Sequence, residues 1–386
     1  MSESFEYVVI GLGALGSATA YELARRGHSV LGLERFELGH NRGASHDTSR
    51  ILRHSYHTPS YVELTQAAYE DWAALEVDSG ESLVTVTGGL DLFPPDPEIA
   101  MIDYVSSLNA VGIAFELLSV DEIAMRWPQF SLPSGTVGLF QSRGSIVPAG
   151  RGTSLMQRRA MAHGARLRDH SRVTSLREVA TGVEVSVSDT TYRCRRAVIT
   201  ADAWTNEVLA GLGVSVPLEV TLEQVTYFEP PVVAPFEPGR LPLWIWMDEP
   251  SYYGFPTYGE PTVKAAQDCG GPSVDPESRS FEVDFDMQDR LTKHMASMLP
   301  GSGPAVRSLR CQYALTPDRD FLIDVVPGSD AVFVGLGAAH GFKFAPTFGR
   351  LLADLAITGK TDFDLTPYCF DRIGLTDPDY GSNWLV

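Results

Sequence analysis

Long hydrophobic runs are missing from this 386-residue chain: no stretch approaches the roughly 18 consecutive apolar residues that a membrane-spanning helix requires. Positive charge is also short. Thirty Lys and Arg stand against 49 Asp and Glu, a formal net charge of −19, which opposes binding to nucleic-acid phosphates or to anionic lipid. Cysteine is scarce, and Cys194, Cys269, Cys311 and Cys369 lie far apart with no CxxC pair, so neither a metal site nor a disulfide framework is expected. The opening MSESFEYVVIG has no basic segment ahead of its apolar run, which leads us to expect a cytoplasmic location. Internal repeats and low-complexity tracts are absent too, and the 35 glycines and 25 prolines are spread along the chain, as in a compact, turn-rich protein. What is present is an apolar share of 44%, enough to bury a core in two or three domains of about 150 residues.

The first 34 residues predict a strand at Tyr7–Ile10, a glycine turn, an amphipathic helix from Ser17 to Arg26 ended by Gly27, and a second strand at 29–34. In the turn GLGALG, Gly11 permits the sharp bend, Gly13 lets the backbone approach a pyrophosphate, and Gly16 allows the helix to pack closely on the strand. Glu34 ends the second strand, where a carboxylate accepts hydrogen bonds from a ribose diol. Phosphates would then sit at a helix N-terminus. This βαβ unit predicts a bound dinucleotide, and the fingerprint by itself fits FAD and NAD equally.

Further along, a polar stretch rich in Gly, Ser, His and Arg runs from Gly39 to Tyr56, followed by a helical pattern from Tyr61 to Leu75. Alternating runs at Gly182–Val187 and Ala197–Thr200 read as strands, and Pro- and Gly-rich turns from Pro230 to Pro272 suggest the strands and loops of a second region. The last unit, Ala331–Leu355, is again strand, glycine turn and helix. Such a segment can return to the first strand's sheet and cradle a second part of one large cofactor, which favours FAD.

Several ordered motifs then carry a resemblance: GLGALG with Glu34, SHDTSRILRHSY at Ser45–Tyr56, YYGFP at Tyr252–Pro256, Lys264, Arg310-Cys311-Gln312-Tyr313, DFLID at Asp320–Asp324 and HGFKF at His340–Phe344. Over nearly its whole length the chain resembles the monomeric sarcosine oxidase and N-methyltryptophan oxidase family, among the D-amino-acid-oxidase-like flavoproteins. The resemblance implies a monomer with an α/β, two-domain architecture: a Rossmann-like FAD domain, discontinuous over 1–85, 150–220 and 320–386, and a substrate domain of antiparallel sheet over 86–149 and 221–319. It further implies oxidation of a small amino-acid-like secondary amine, with O2 reduced to hydrogen peroxide. A dehydrogenase of the same fold, passing electrons to a quinone or protein acceptor, is the alternative.

By the same resemblance Cys311 carries the FAD as a thioether, helped by a thiol pKa lowered beside cations such as Arg310. Arg53 and Lys343 clamp the substrate carboxylate, a bidentate fork and a point charge. Lys264, notable in a chain with few lysines, promotes the reaction with oxygen by its fixed charge. His46 and Arg50 line the flavin ring, and Tyr253 and Tyr313 supply hydrogen bonds and one wall of the pocket. Cofactor contacts are also implied for Ala14, Leu15, Arg35, Ser45, Ser49, Val173, Trp204, Gly337, Gly341 and Phe342. Three positions depart from the family pattern. Asp268 stands where the oxidases carry a histidine near the substrate, Trp244 where they carry a methionine, and Asp202 where relatives usually have glycine. An acid and an indole together are expected to suit a cationic or bulkier amine better than sarcosine.

Overall fold

The computed structural model describes residues 3–382, so the outermost ends of the segments expected at 1–85 and 320–386 lie outside the described residues. The first strand, β1 (Ser4–Ile10), is buried on both faces over its last four residues, the pattern of a parallel strand covered by helices. It pairs in parallel with β2 (Val30–Leu33) on one side and with Thr190–Ile199 on the other. Thr190–Ile199 is long enough to take two partners along one edge: Gly182–Val187 antiparallel beside its first half, and Val332–Leu336 parallel beside its second. The C-terminal strand–turn–helix therefore does return to the sheet of β1.

Between β1 and β2 runs α1 (Ala14–Arg25). It begins three residues earlier than the sequence pattern suggests, and it is not amphipathic. Every residue from Ala14 to Ala24 except Leu15 is buried, because the helices Ala149–Ala162 and Ala345–Thr358 flank it. Small side chains allow that approach, and the buried hydroxyls of Ser17 and Thr19 are absorbed by the carbonyls of Leu12 and Leu15, each at 2.8 Å. Strand β3 (Ser49–Leu52) lies inside the polar stretch and pairs with Ser145–Pro148. Helix α2 (Pro59–Ser79) starts with proline at its first position and stops at Gly80, whose φ of 72° ends it in the left-handed conformation. Its buried face, Tyr61, Leu64, Thr65, Ala68, Tyr69, Trp72 and Leu75, follows helical spacing.

A second sheet of eight strands runs in the order Ala305–Leu315, Glu219–Phe228, Val263–Gln267, Tyr252–Phe255, Leu243–Trp246, Gly89–Phe93, Val137–Gln141 and Glu116–Ser119. Its junctions are antiparallel except where Leu243–Trp246 meets Gly89–Phe93 in parallel. The fold is thus mixed α/β, with a dinucleotide-type sheet and a largely antiparallel one, as expected. No helix among the described residues is long and apolar enough to cross a membrane.

Candidate cofactor and substrate site

One continuous cavity runs from the glycine turn after β1 to the second sheet. At the turn, Gly11 has φ 91°, and a Cβ there would lie 2.6 Å from the Thr200 carbonyl oxygen. A Cβ on Gly16 would lie 1.8 Å from the oxygen of Gly11, so Gly16 packs the helix against the turn from behind, outside the cavity lining. Gly13, Ala14 and Leu15 line the cavity at the start of α1, and Ser45 Oγ accepts the Ala14 N–H at 2.9 Å. Glu34 accepts the N–H of Leu12 at 2.8 Å and that of Phe36 at 3.1 Å. Burial opposes its ionisation, but the hydrogen bonds from His40 and these two amides outweigh it and hold the carboxyl below its ordinary range. Val173, Trp204 and Arg35 line the same end. Arg35 is occupied there: its guanidinium lies over the Trp204 ring and pairs with Glu277 at 2.7 Å.

Where the two sheets meet, Cys311, Arg50, His46, Gly337, Gly341 and Phe342 form the wall. Burial pushes the Cys311 thiol up to about 11, and Arg50 acts against this. The expected lowering by Arg310 does not occur. Successive side chains of a strand point to opposite faces, and the Arg310 guanidinium is turned away to the carbonyl oxygen of Leu222 at 3.1 Å. His46 is pulled down to about 4 by burial and then by Arg50, which keeps the ring neutral at pH 7. Arg50 spends its donors on the carbonyls of Ser49, Ala44 and His46, each at 2.9 Å.

Lys264 and Ser49 sit one layer behind this wall and do not line the cavity. The lysine Nζ donates to the Ser49 carbonyl at 3.0 Å and pairs with Asp47 Oδ2 at 2.6 Å, and Asp47 Oδ1 accepts the Tyr227 hydroxyl. Burial pulls Lys264 down to about 8; Asp47 opposes this and Arg50 adds to it. Asp47 itself, penalised by burial, is held well below the carboxylate range by Lys264 and Arg50. It lines the cavity in a left-handed backbone conformation, φ 80°. The backbone of Ser49 thus serves as an acceptor for Lys264.

At the far end Arg53 and Lys343 converge on Tyr56. The Arg53 guanidinium lies 4.9 Å from the ring centroid, and Lys343 Nζ donates to the hydroxyl at 2.8 Å and to the His340 carbonyl at 2.9 Å. The turn that carries Lys343 is tied to α2 by Trp72, whose indole N–H donates to the Lys343 carbonyl at 2.7 Å. Burial, and then Arg53 and Arg319, pull Lys343 well below its ordinary value. Arg53 also pairs with buried Asp91 at 3.1 Å. Tyr253 and Tyr313 line the same cavity, their hydroxyls pushed up by burial.

Of the two residues expected on the substrate wall, one lines the cavity and one does not. Trp244 is fully buried in the core behind the second sheet, and its neighbour Ile245 lines the cavity instead. The strand period of two makes an error of one residue an error of face. Asp268 does line the cavity, but its oxygens are held by Arg319 at 2.8 and 2.9 Å, so it offers no free negative charge to a cationic amine. Arg319, Asp47, Tyr227, Tyr56 and Asp91 were not singled out by sequence reasoning, although Asp47 and Tyr56 lie within the motif Ser45–Tyr56.

A glycine cradle continuous with a buried, cation-rich end defines a dinucleotide-dependent oxidoreductase site. The description "FAD dependent oxidoreductase" (DAO) matches residues 6–355, and the chain belongs to this family. It is 34% identical to the monomeric sarcosine oxidase of Streptomyces avermitilis, covering 98% of both chains. To the N-methyl-L-tryptophan oxidase of Escherichia coli it is 28% identical, covering 95% of this chain and 99% of the other. The structure of NikD, an unusual amino acid oxidase essential for nikkomycin biosynthesis, superposes with a TM-score of 0.86 at 28% identity, over 95% of this chain and 97% of that one, in its Tyr258Phe mutant. The residues present fit FAD. The turn leaves no room for a Cβ at Gly11, and two residues of the cavity lining keep buried polar atoms without protein partners: Nε2 of His46 and both polar ends of the Gln312 side chain.

Proposed function

We propose that this flavoenzyme oxidises the secondary amine of an N-methyl, N-alkyl or cyclic amino acid and passes the electrons to O2, giving hydrogen peroxide. The observation that carries the reading is the single cavity lined by Arg53, Lys343, Tyr253, Tyr313, Cys311 and Arg50 together with the glycine cradle. When bound, FAD supplies the hydride acceptor. Everything else asked of the chain is binding and orientation. Arg53 and Lys343 hold the substrate carboxylate, the two tyrosines and Ile245 wall the amine, and no strong general base is needed if the amine enters neutral. Two histidines of the cavity lining suit that role: His46 and His340 are kept neutral by burial.

Cys311 is the proposed thioether to the flavin, and Lys264 the charge that favours electron transfer to oxygen. The two sheets support a division of labour in which segments 1–85, 150–220 and 320–386 hold the cofactor while 86–149 and 221–319 cover the substrate. Sarcosine oxidases described as monomeric are the relatives that support a monomer. The test is peroxide formation across sarcosine, larger N-methyl amino acids, cyclic amino acids and the matching primary amines. Turnover confined to secondary amines bearing a carboxylate is expected, with Arg53→Met and Lys343→Met each raising KM at least tenfold. Equal turnover of amines lacking the carboxylate contradicts the reading.

A further inference from the structure

Around Tyr56 and His340 the cavity wall carries four ionic side chains: Arg53, Arg319, Lys343 and Asp268. Their charges are matched unequally. Arg53 is answered from behind by Asp91, which does not line the cavity. Arg319 is answered within the wall itself, with one nitrogen on each oxygen of Asp268 at 2.8 and 2.9 Å. Lys343 has no carboxylate within ion-pair distance among the described residues; its ammonium donates to a phenol and a carbonyl. The wall thus keeps one cation open to one incoming anion.

The pair is also fixed in place. Arg319 holds a left-handed backbone conformation, φ 59°, and its carbonyl is bonded to His340 Nε2 at 3.0 Å, the same residue whose carbonyl accepts Lys343. Asp268 is pinned through its own N–H to the Ser251 carbonyl at 2.9 Å, and Cys269 beside it is again left-handed, φ 52°. A guanidinium fork whose two nitrogens already face a carboxylate is an anion site with its anion built in.

We infer that the Asp268–Arg319 pair is a specificity-determining device: Asp268 takes the place on Arg319 that a second carboxylate of a substrate would take, and so restricts the site to amines with a single carboxylate. This deepens the amine-oxidase reading and rests on it for the nature of the ligand. A dicarboxylic amine would bring its second anion towards Asp268 and find the Arg319 donors in use, so that the two carboxylates repel each other. Removing the charge of Asp268 inverts the situation, because Arg319 then faces the cavity as a second anion receptor.

The flavin-loaded protein is titrated with propionate and with succinate, which are not oxidised, and binding is read from the shift of the flavin absorbance bands. Wild type is expected to bind propionate at least tenfold more tightly than succinate. Asp268→Asn is expected to reduce or reverse that ratio at least tenfold, chiefly by gaining succinate affinity, and the double variant Asp268→Asn with Arg319→Gln to lose the gain. Equal affinities in wild type overturn the proposal without need of any variant, as does an unchanged ratio in Asp268→Asn or a gain that survives in the double variant. Because neither ligand is turned over, a failure to oxidise any amine sinks the functional reading while leaving this ratio to be judged separately.

Discussion

Replacing Cys311 by serine is expected to free the flavin: on acid precipitation the variant's flavin should be recovered in the supernatant, whereas the wild-type pellet should stay yellow. The expectation rests on place and chemistry together. Cys311 lines the cavity at the junction of the two sheets, while Cys194 is buried elsewhere in the core of the first sheet. A serine hydroxyl ionises far less readily than a thiol, so the variant cannot form the link under the same conditions. The thiol is not prepared in advance, since burial holds it at about 11. Attachment on mixing the apoprotein with FAD is therefore expected to quicken by about tenfold per pH unit between pH 7 and 9, following the thiolate fraction. Complete release of flavin from wild type assigns Cys311 to the structure instead of the cofactor.

Loss of Lys264 is expected to have a different signature. Lys264→Met should slow reoxidation of the reduced flavin by O2 roughly 10²–10³-fold, the usual scale for removing one preorganised electrostatic stabiliser. Reduction by the amine should be nearly unaffected, because the lysine stands behind the wall, against Ser49 and Asp47. The pH dependence follows from the sign of the shift. Lys264 titrates at about 8, so it is charged below that pH and loses its charge above it, and reoxidation is expected to slow as the pH rises through 8. Asp47 opposes the lowering, so Asp47→Asn moves the fall in rate to lower pH while leaving the reductive step in place. Stopped-flow measurement of the two half-reactions from pH 6 to 9 separates these effects. A Lys264→Met enzyme that reoxidises at the wild-type rate removes the lysine from the oxygen chemistry.

What the sequence made legible was chiefly local. The glycine turn and Glu34 lie within one βαβ unit, and their spacing alone places them around one end of the cavity. Arg53, Lys343 and Cys311 were reached through motifs, and all three line the site. Harder to read was anything that depends on partners distant in sequence or on strand phase. Trp244 and Arg310 each stand one residue from a cavity-lining position, Ile245 and Cys311, and alternation turns both away. Asp268 looked like a free acid because its neutralising Arg319 is 51 residues further along the chain. Helix α1 looked amphipathic because the two helices that cover it come from residues 149–162 and 345–358. Asp47 was present in a motif, but its pairing with Lys264 joins the loop before β3 to a strand of the second sheet and leaves no trace in local spacing.

The proposed enzyme takes electrons from an N-alkyl amino acid and gives them to oxygen. Mixing the flavin-loaded protein with the best secondary amine from the substrate panel under anaerobic conditions, then admitting air, tests this directly. The flavin absorbance should bleach completely and return within seconds of aeration, with one hydrogen peroxide formed per flavin. A flavin that bleaches but stays reduced in air, and recovers only when a quinone is added, contradicts the oxidase and identifies a dehydrogenase on the same fold.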